Sequence, residues 1–260
     1  MATIKEFEYV HGKTPLSSTY VPFSTVAVYV VLLVTLPNLL RNVNIPSLRV
    51  PFLVHNVFLS LGSLYVIISM TSAIVERPQV SGFRSLLDTV ICDEHHHLYD
   101  SVEYWLYVFY VSKYYELLDT LFLILKKKKV KALHYIHHIM TLIIIWSGLE
   151  TKFTVMWIAT FMNTFVHVIM YGYYGAKIIF PTYNPWWKKY LTKLQMIQFC
   201  VNILGLIIWA ALNSIKKEGA CAGAYWVLYL VFGGMITFLV MFNAFYKGSY
   251  RKGRDNNKSK

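Results

Sequence analysis

Cysteine is scarce in this chain, and acidic side chains are few beside basic ones. The three cysteines, Cys92, Cys200 and Cys221, exclude a disulfide-rich scaffold and an all-cysteine zinc site, which needs four thiolates. Thirteen Asp and Glu stand against twenty-five Lys and Arg, for a formal net charge of +12. No cleavable leader is expected, because Lys5, Glu6 and Glu8 interrupt any leader-like order between Met1 and Thr25. No repeat of 20–50 residues stands out, so a solenoid is not indicated. No predicted helix carries a GxxxG face that would announce a dimer.

What is abundant is apolar. The 260 residues are 56% hydrophobic and 17% aromatic, with a mean hydropathy of +0.46, which predicts an all-α, polytopic membrane protein. That character assigns the positive charge to topology and to anionic ligands, and no nucleic-acid partner is expected. Seven apolar stretches, 23–40, 51–75, 101–125, 133–149, 153–175, 190–212 and 224–246, each approach the roughly 20 residues a crossing needs. They form one membrane-embedded domain over 1–260, with 1–22 as a lumenal N-terminus and 247–260 as a basic tail. Sixteen Lys and Arg fall on one side of these spans and seven on the other. The positive-inside rule therefore predicts a cytosolic C-terminus and a lumenal or external N-terminus. Cys92 and Cys221 then share the non-cytosolic side, where an oxidising lumen would permit a disulfide. Cys200 lies within the sixth span and reads as packing.

The central stretch is Leu133-His134-Tyr135-Ile136-His137-His138, between the run Lys126 to Lys131 and the apolar run Ile139 to Trp146. On a helix His134, His137 and His138 share one broad face. Ionisable groups within a span are costly and usually mark a site. The third span carries Lys113, Glu116, Asp119 and Thr120, with Lys113, Glu116 and Thr120 at i, i+3, i+7. The fifth carries Asn163, His167, Tyr171 and Tyr174, and the sixth carries Gln195 and Gln198 on one face. At about 1.5 Å per residue, Asp119 lies about 9 Å from the cytosolic end of its span, His137 about 6–9 Å, His167 about 12 Å and Gln195 about 8–10 Å. Spans of alternating direction thus deliver polar groups to one layer. Singly, each motif reads more readily as structural hydrogen bonding; together they predict one enclosed site under a lysine-rich entrance.

Imidazoles and carboxylates can ligate iron or zinc. A membrane di-iron oxygenase uses about eight histidines. Of the nine here, His11 and His55 stand alone and His95, His96 and His97 fall in a lumenal loop. His134, His137, His138 and His167 remain, enough with Glu116 and Asp119 for a mononuclear site but too few for a di-iron cluster. The other chemistry is acid–base and nucleophilic work by imidazole oriented by carboxylates.

Lys113…Glu116…Asp119-Thr120, His134…His137-His138, His167…Met170-Tyr171…Tyr173-Tyr174 and Thr192…Gln195…Gln198 occur in that order over residues 113–198. This set resembles the signatures of the ELO-type fatty-acid elongases, the 3-ketoacyl-CoA synthases of the endoplasmic reticulum. The resemblance implies condensation of a long-chain acyl-CoA with malonyl-CoA, with loss of CO2 and CoA and no cofactor or metal. It implies that His137 attacks the thioester, with His134 or His138 as alternatives. His167 would activate the thioester, and Glu116, Asp119 and His138 would orient the imidazoles. Lys113, Tyr171 and Tyr174 would line the substrate, while Asn163, Gln195 and Gln198 would donate to oxyanions. Lys126 to Lys129 (Lys128 among them), Lys131, Lys188 and Lys189 suit CoA phosphates. The ketoreductase, dehydratase and enoyl reductase of the elongation cycle are the expected protein partners, and the endoplasmic reticulum membrane the expected location. A histidine–metal oxidase or desaturase is the alternative enzyme. A seven-span receptor would leave the histidine cluster unexplained. A proton-coupled transporter would need polar groups through both halves, whereas the lumenal halves read as apolar.

Overall fold

Long apolar runs that meet neither proline nor glycine at close spacing satisfy their backbone within themselves as helices, the form a bilayer demands. In the computed structural model, residues 7–76, 86–216 and 220–251 are described, and among them there is no strand. The helices are α1 (Tyr20–Leu39), α2 (Arg49–Val75), α3 (His97–Glu116), α4 (Leu118–Leu125), α5 (Ala132–Glu150), α6 (Met156–Ile179), α7 (Lys188–Lys216) and α8 (Tyr225–Tyr246). One lies over each apolar stretch except the third, where α3 and α4 are separated by Leu117. There the backbone tightens, with Leu117 N–H donating to the Tyr114 carbonyl (3.2 Å) and Thr120 N–H to the Leu117 carbonyl (3.2 Å). Among the described residues five helices are long and apolar enough to cross a membrane: α1, α2, α5, α7 and α8 with its extension to Tyr250. The α3–α4 pair and α6 carry the polar residues of the predicted layer instead.

Neighbouring helices close a ring: α2 packs on α3, α3 on α5, α5 on α8, α8 on α7, α7 on α6, and α6 returns to α2. Within it α3 also touches α6, while α1 lies outside against α4 and α5. The polarity is inverted relative to a soluble protein. Val28, Val31 and Val34 of α1, Val54, Phe58 and Leu61 of α2, and Leu204 and Ile207 of α7 are exposed, whereas Lys113, Glu116, His138 and His167 are buried. Outward apolar faces and inward ionisable groups are the arrangement of a chain solvated by lipid.

One end of the ring is sealed. Cys92 and Cys221 form a disulfide with Cα atoms 4.4 Å apart, and the Ala222 N–H donates to the Cys92 carbonyl (2.8 Å). Trp209 Nε1 donates to the Ala222 carbonyl (3.0 Å), and Asn213 Oδ1 accepts from Cys221 N–H (3.0 Å). Gly223 has φ +126°, and a Cβ there would fall 2.1 Å from Phe153 Cδ2, so only glycine fits. Asp93 caps α3, its carboxylate accepting from Leu98 N–H (3.0 Å) and Tyr99 N–H (2.8 Å). The N-terminal segment covers this end: Tyr9 donates to Glu150 (2.6 Å), and Tyr110 and Trp146 donate to the carbonyls of Leu16 and Ser17.

Several expectations change. His11 is not alone but 2.8 Å from Glu150. Cys200 is exposed on α7 and packs nothing inside the ring; in lipid an apolar face can point outward as well as inward. The sealed end is not wholly apolar, since Glu103 is buried 4.0 Å from Lys152. Of the topology-setting cations, Lys5, Arg77, Arg84, Lys217, Lys252, Arg254, Lys258 and Lys260 lie outside the described residues, as does most of the 247–260 tail.

Candidate active site

At the opposite end of the ring the polar side chains meet as two linked clusters. In the first, the buried Lys113 ammonium lies 2.7 Å from Glu116 Oε1 and donates to Asn163 Oδ1 at 3.1 Å. Ser112 Oγ donates to the same Glu116 oxygen (3.2 Å), and His167 Nδ1 stands 3.6 Å from it. The pair lies within α3, and the Lys113–Asn163 bond ties it to α6; removing either partner of the pair would strand a charge in apolar surroundings. Asn163 uses its carbonyl on Lys113, and among the described residues its amide NH2 has no protein acceptor.

In the second cluster Asp119 is the hub. Its Oδ1 is 2.8 Å from His55 Nε2, and its Oδ2 accepts from the Tyr171 hydroxyl at 2.7 Å and lies 4.0 Å from His138 Nε2. Thr120 Oγ1 meets His134 Nε2 (2.8 Å) and the Tyr29 hydroxyl (2.7 Å), so α1 reaches the site from outside the ring. An apolar cavity of about 350 Å³ between α1 and α4 includes Tyr29 and Thr120 in its wall. Tyr171 joins the two clusters, its ring 5.1 Å from that of His167 while its hydroxyl is on Asp119.

The interruption at Leu117 explains why there are two clusters. Lys113, Glu116 and Thr120 do not share one face, as an unbroken helix would require. Lys113 and Glu116 look toward α6, Asp119 toward α2 and α6, and Thr120 toward α1 and α5.

The three imidazoles of α5 differ in their ties. His134 is held by Thr120, and its ring centroid is 4.6 Å from that of His138. His138 is buried near Asp119. The His137 ring packs on Phe238 (5.1 Å) and stands 5.7 Å from His138; among the described residues nothing hydrogen-bonds it. Asp119 thus hydrogen-bonds His55; His138 and His167 stand within 4.0 Å of a carboxylate without a hydrogen bond to it, and among the described residues the His137 ring has neither.

The remaining expected residues are more scattered. Gln195 Nε2 contacts Met170 Sδ at 3.7 Å, and Gln198 is buried with Oε1 unpaired. Tyr174 is 41% exposed and meets the site only through Tyr171 (rings 6.4 Å apart). Lys128 and Lys131 are exposed at the rim, Lys131 over the Phe245 ring. Among the described residues no three His, Cys, Asp or Glu side chains are grouped to hold a metal ion.

Two members escaped the sequence reading. His55, which stands alone in the sequence, is 2% exposed and bonded to Asp119. Its place six residues into α2 puts it about 9 Å from that helix's start, the depth of the other groups, and the same arithmetic would have found it. Tyr29 carries no such signal, because α1 is apolar all round and nothing marks which side meets the ring.

A family model for the ELO, or GNS1/SUR4, family matches residues 14–258. The chain is 32% identical over 248 residues to fatty acid elongase sre1 of Dictyostelium discoideum, covering 94% of this chain and 89% of that protein. It is 30% identical over 259 residues to fatty acid elongase A of the same organism, covering 97% and 91%. It is 32% identical over 251 residues to very long chain fatty acid elongase 5 of Tachysurus fulvidraco, covering 91% and 78%.

Proposed function

The chain belongs to the GNS1/SUR4 family and is a condensing enzyme of fatty acid elongation, and on that premise we propose that it is a 3-oxoacyl-CoA synthase working through a histidine acyl-enzyme. A ring nitrogen of His137 attacks the carbonyl of a long-chain acyl-CoA. The C–S bond breaks, and CoA leaves as a thiolate that takes up a proton. Malonyl-CoA then loses CO2, and the resulting enolate carbon attacks the acyl-imidazole carbonyl. The C–N bond to His137 breaks, releasing a 3-oxoacyl-CoA two carbons longer. Decarboxylation supplies the carbanion, so no cofactor or metal enters the cycle.

The observation that carries this reading is the unequal tethering of the imidazoles. His137 is free to attack, while Asp119 hydrogen-bonds His55 and Tyr171 and lies 4.0 Å from His138, and Glu116 lies 3.6 Å from His167. The unpaired NH2 of Asn163 and the amides of Gln195 and Gln198 supply donors for the oxyanions of both addition steps. The acyl chain runs from the polar layer toward the sealed end, within the ring. The chain crosses the endoplasmic reticulum membrane seven times, α3–α4 counting as one crossing. The N-terminus and disulfide are lumenal, and the histidine end and C-terminus cytosolic. Its product suits the ketoreductase, dehydratase and enoyl reductase of an elongation cycle.

The test is a microsomal assay with radiolabelled malonyl-CoA and a panel of acyl-CoAs, on wild type and His137→Ala. Label entering a lipid two carbons longer, lost in the variant, supports the assignment. Well-expressed wild-type protein that incorporates no label with any acyl-CoA overturns it.

A further inference from the structure

The helix outside the ring buries only Pro22 and Tyr29, and of these only the tyrosine carries a polar group. Tyr29 is 7% exposed, while Val28 beside it is 58% exposed. The Tyr29 hydroxyl lies 2.7 Å from Thr120 Oγ1, and the same oxygen lies 2.8 Å from His134 Nε2. Thr120 is buried too, and among the described residues neither hydroxyl has a further hydrogen-bond partner. The cavity wall around them is apolar, with Leu32, Leu33, Leu36, Leu117 and Leu121. Three arrangements of the protons are possible. In the first, Tyr29 donates to Thr120 and Thr120 donates to Nε2, so the imidazole proton sits on Nδ1. In the second, Nε2–H donates to Thr120 and Thr120 to the tyrosine oxygen, which leaves the Tyr29 proton without an acceptor. In the third, Thr120 accepts from both neighbours, and its own proton is left unmet. A buried donor without an acceptor is expensive. Only the first arrangement meets every donor.

We propose that Tyr29 is a positioning residue for the histidine stretch of α5: through Thr120 it holds His134 as the neutral imidazole with its proton on Nδ1. Nε2 then engages its lone pair with the Thr120 hydroxyl, and Nδ1 presents an N–H. Such a ring has no lone pair to offer a thioester. His134 therefore acts as a hydrogen-bond donor and leaves nucleophilic attack to His137, whose ring has no hydrogen-bond partner among the described residues. The kinetic consequence rests on the condensation mechanism proposed above; the position of the proton does not.

Full-length protein carrying nitrogen-labelled histidine is purified in detergent, and its side-chain nitrogen NMR spectrum is recorded at neutral pH. The His134 signals are assigned by their loss in His134→Gln. Wild type should show His134 protonated on Nδ1 and bare on Nε2. Tyr29→Phe keeps the ring that fills the cavity wall and removes the terminal donor, so the Nε2–H form should appear. In microsomes its kcat for condensation should fall roughly five- to tenfold, with the KM for acyl-CoA unchanged. Thr120→Ser should keep the wild-type tautomer, and Thr120→Val should lose it. A wild-type His134 protonated on Nε2 overturns the proposal. So does a Tyr29→Phe protein whose tautomer or kcat is unmoved, whatever its melting temperature. The spectrum needs no turnover, so it decides the proposal even in protein that condenses no acyl-CoA, a result that would sink the mechanism instead. Thr120→Val takes the place of Tyr29→Phe if the latter does not fold.

Discussion

At the sealed end, a disulfide, an edge-to-face contact of Phe153 with Trp209 at 5.0 Å and a tight glycine turn hold the helices together. At the histidine end the helices are joined instead by polar pairs: Lys113 to Asn163, Asp119 to His55 and Tyr171, Thr120 to His134 and Tyr29. Covalent and apolar contacts tolerate no chemistry but keep their shape without tuning. Polar pairs inside a membrane are costly unless each partner is met, yet they alone can orient imidazoles. The chain therefore separates the two tasks along the ring axis, and substitutions at the two ends should separate in their effects.

The sharpest break is expected at His137. His137→Ala should lower condensation by about 10³-fold or more, with unchanged helical content by circular dichroism; a loss below tenfold would place the nucleophile elsewhere. Next is Glu116→Gln, which leaves the Lys113 ammonium buried without its anion and should cost about 3–5 kcal/mol of stability. In thermal unfolding, Lys113→Met/Glu116→Leu should recover most of that loss while activity stays low. The result would show the pair to be functional rather than stabilising. At the other end, Cys92→Ser/Cys221→Ser should lower stability by about 2–4 kcal/mol, yet keep condensation within about twofold at low temperature. A collapse of activity below the melting transition would contradict the division of tasks.

A smaller effect is expected from His55→Ala, which removes one partner of a charged Asp119. Losing a hydrogen bond to a charged group is worth about 1.5–3 kcal/mol, so kcat should fall roughly ten- to hundredfold, with KM and melting temperature little moved. An equal fall in melting temperature would assign His55 a structural role instead. Cys200→Ser should be nearly silent, within about 0.5 kcal/mol, since the side chain faces outward.

Much of this was legible in the residues. The seven apolar runs coincide with helices, and the placement of Cys92 and Cys221 on one side follows from counting spans. The common depth of Asp119, His137 and His167 follows from helix rise, whereas Gln195, placed at the same depth, makes a polar contact only with Met170 among the described residues. What was hidden has physical causes. The turn at Leu117 contains neither proline nor glycine, so nothing in the chain marks the point where the i, i+3, i+7 face divides. The outward position of Cys200 is hidden because hydropathy predicts burial only where water is the solvent; in lipid, outward and inward apolar positions look alike. His55 lacked a neighbouring polar residue, and its partner lies 64 positions away. Glu103 shows the converse error, a carboxylate buried in a half taken as apolar, where burial decides its surroundings and sequence does not report burial.

The most direct test of the account is to trap the acyl-enzyme. Purified protein mixed with a long-chain acyl-CoA and no malonyl-CoA should release about one CoA per chain. It should gain the mass of the acyl group, mapped by peptide mass spectrometry to His137 and discharged as the 3-oxoacyl-CoA when malonyl-CoA is added. Active protein that releases CoA only after malonyl-CoA is present, with no acylated histidine in the 134–138 stretch, would contradict it.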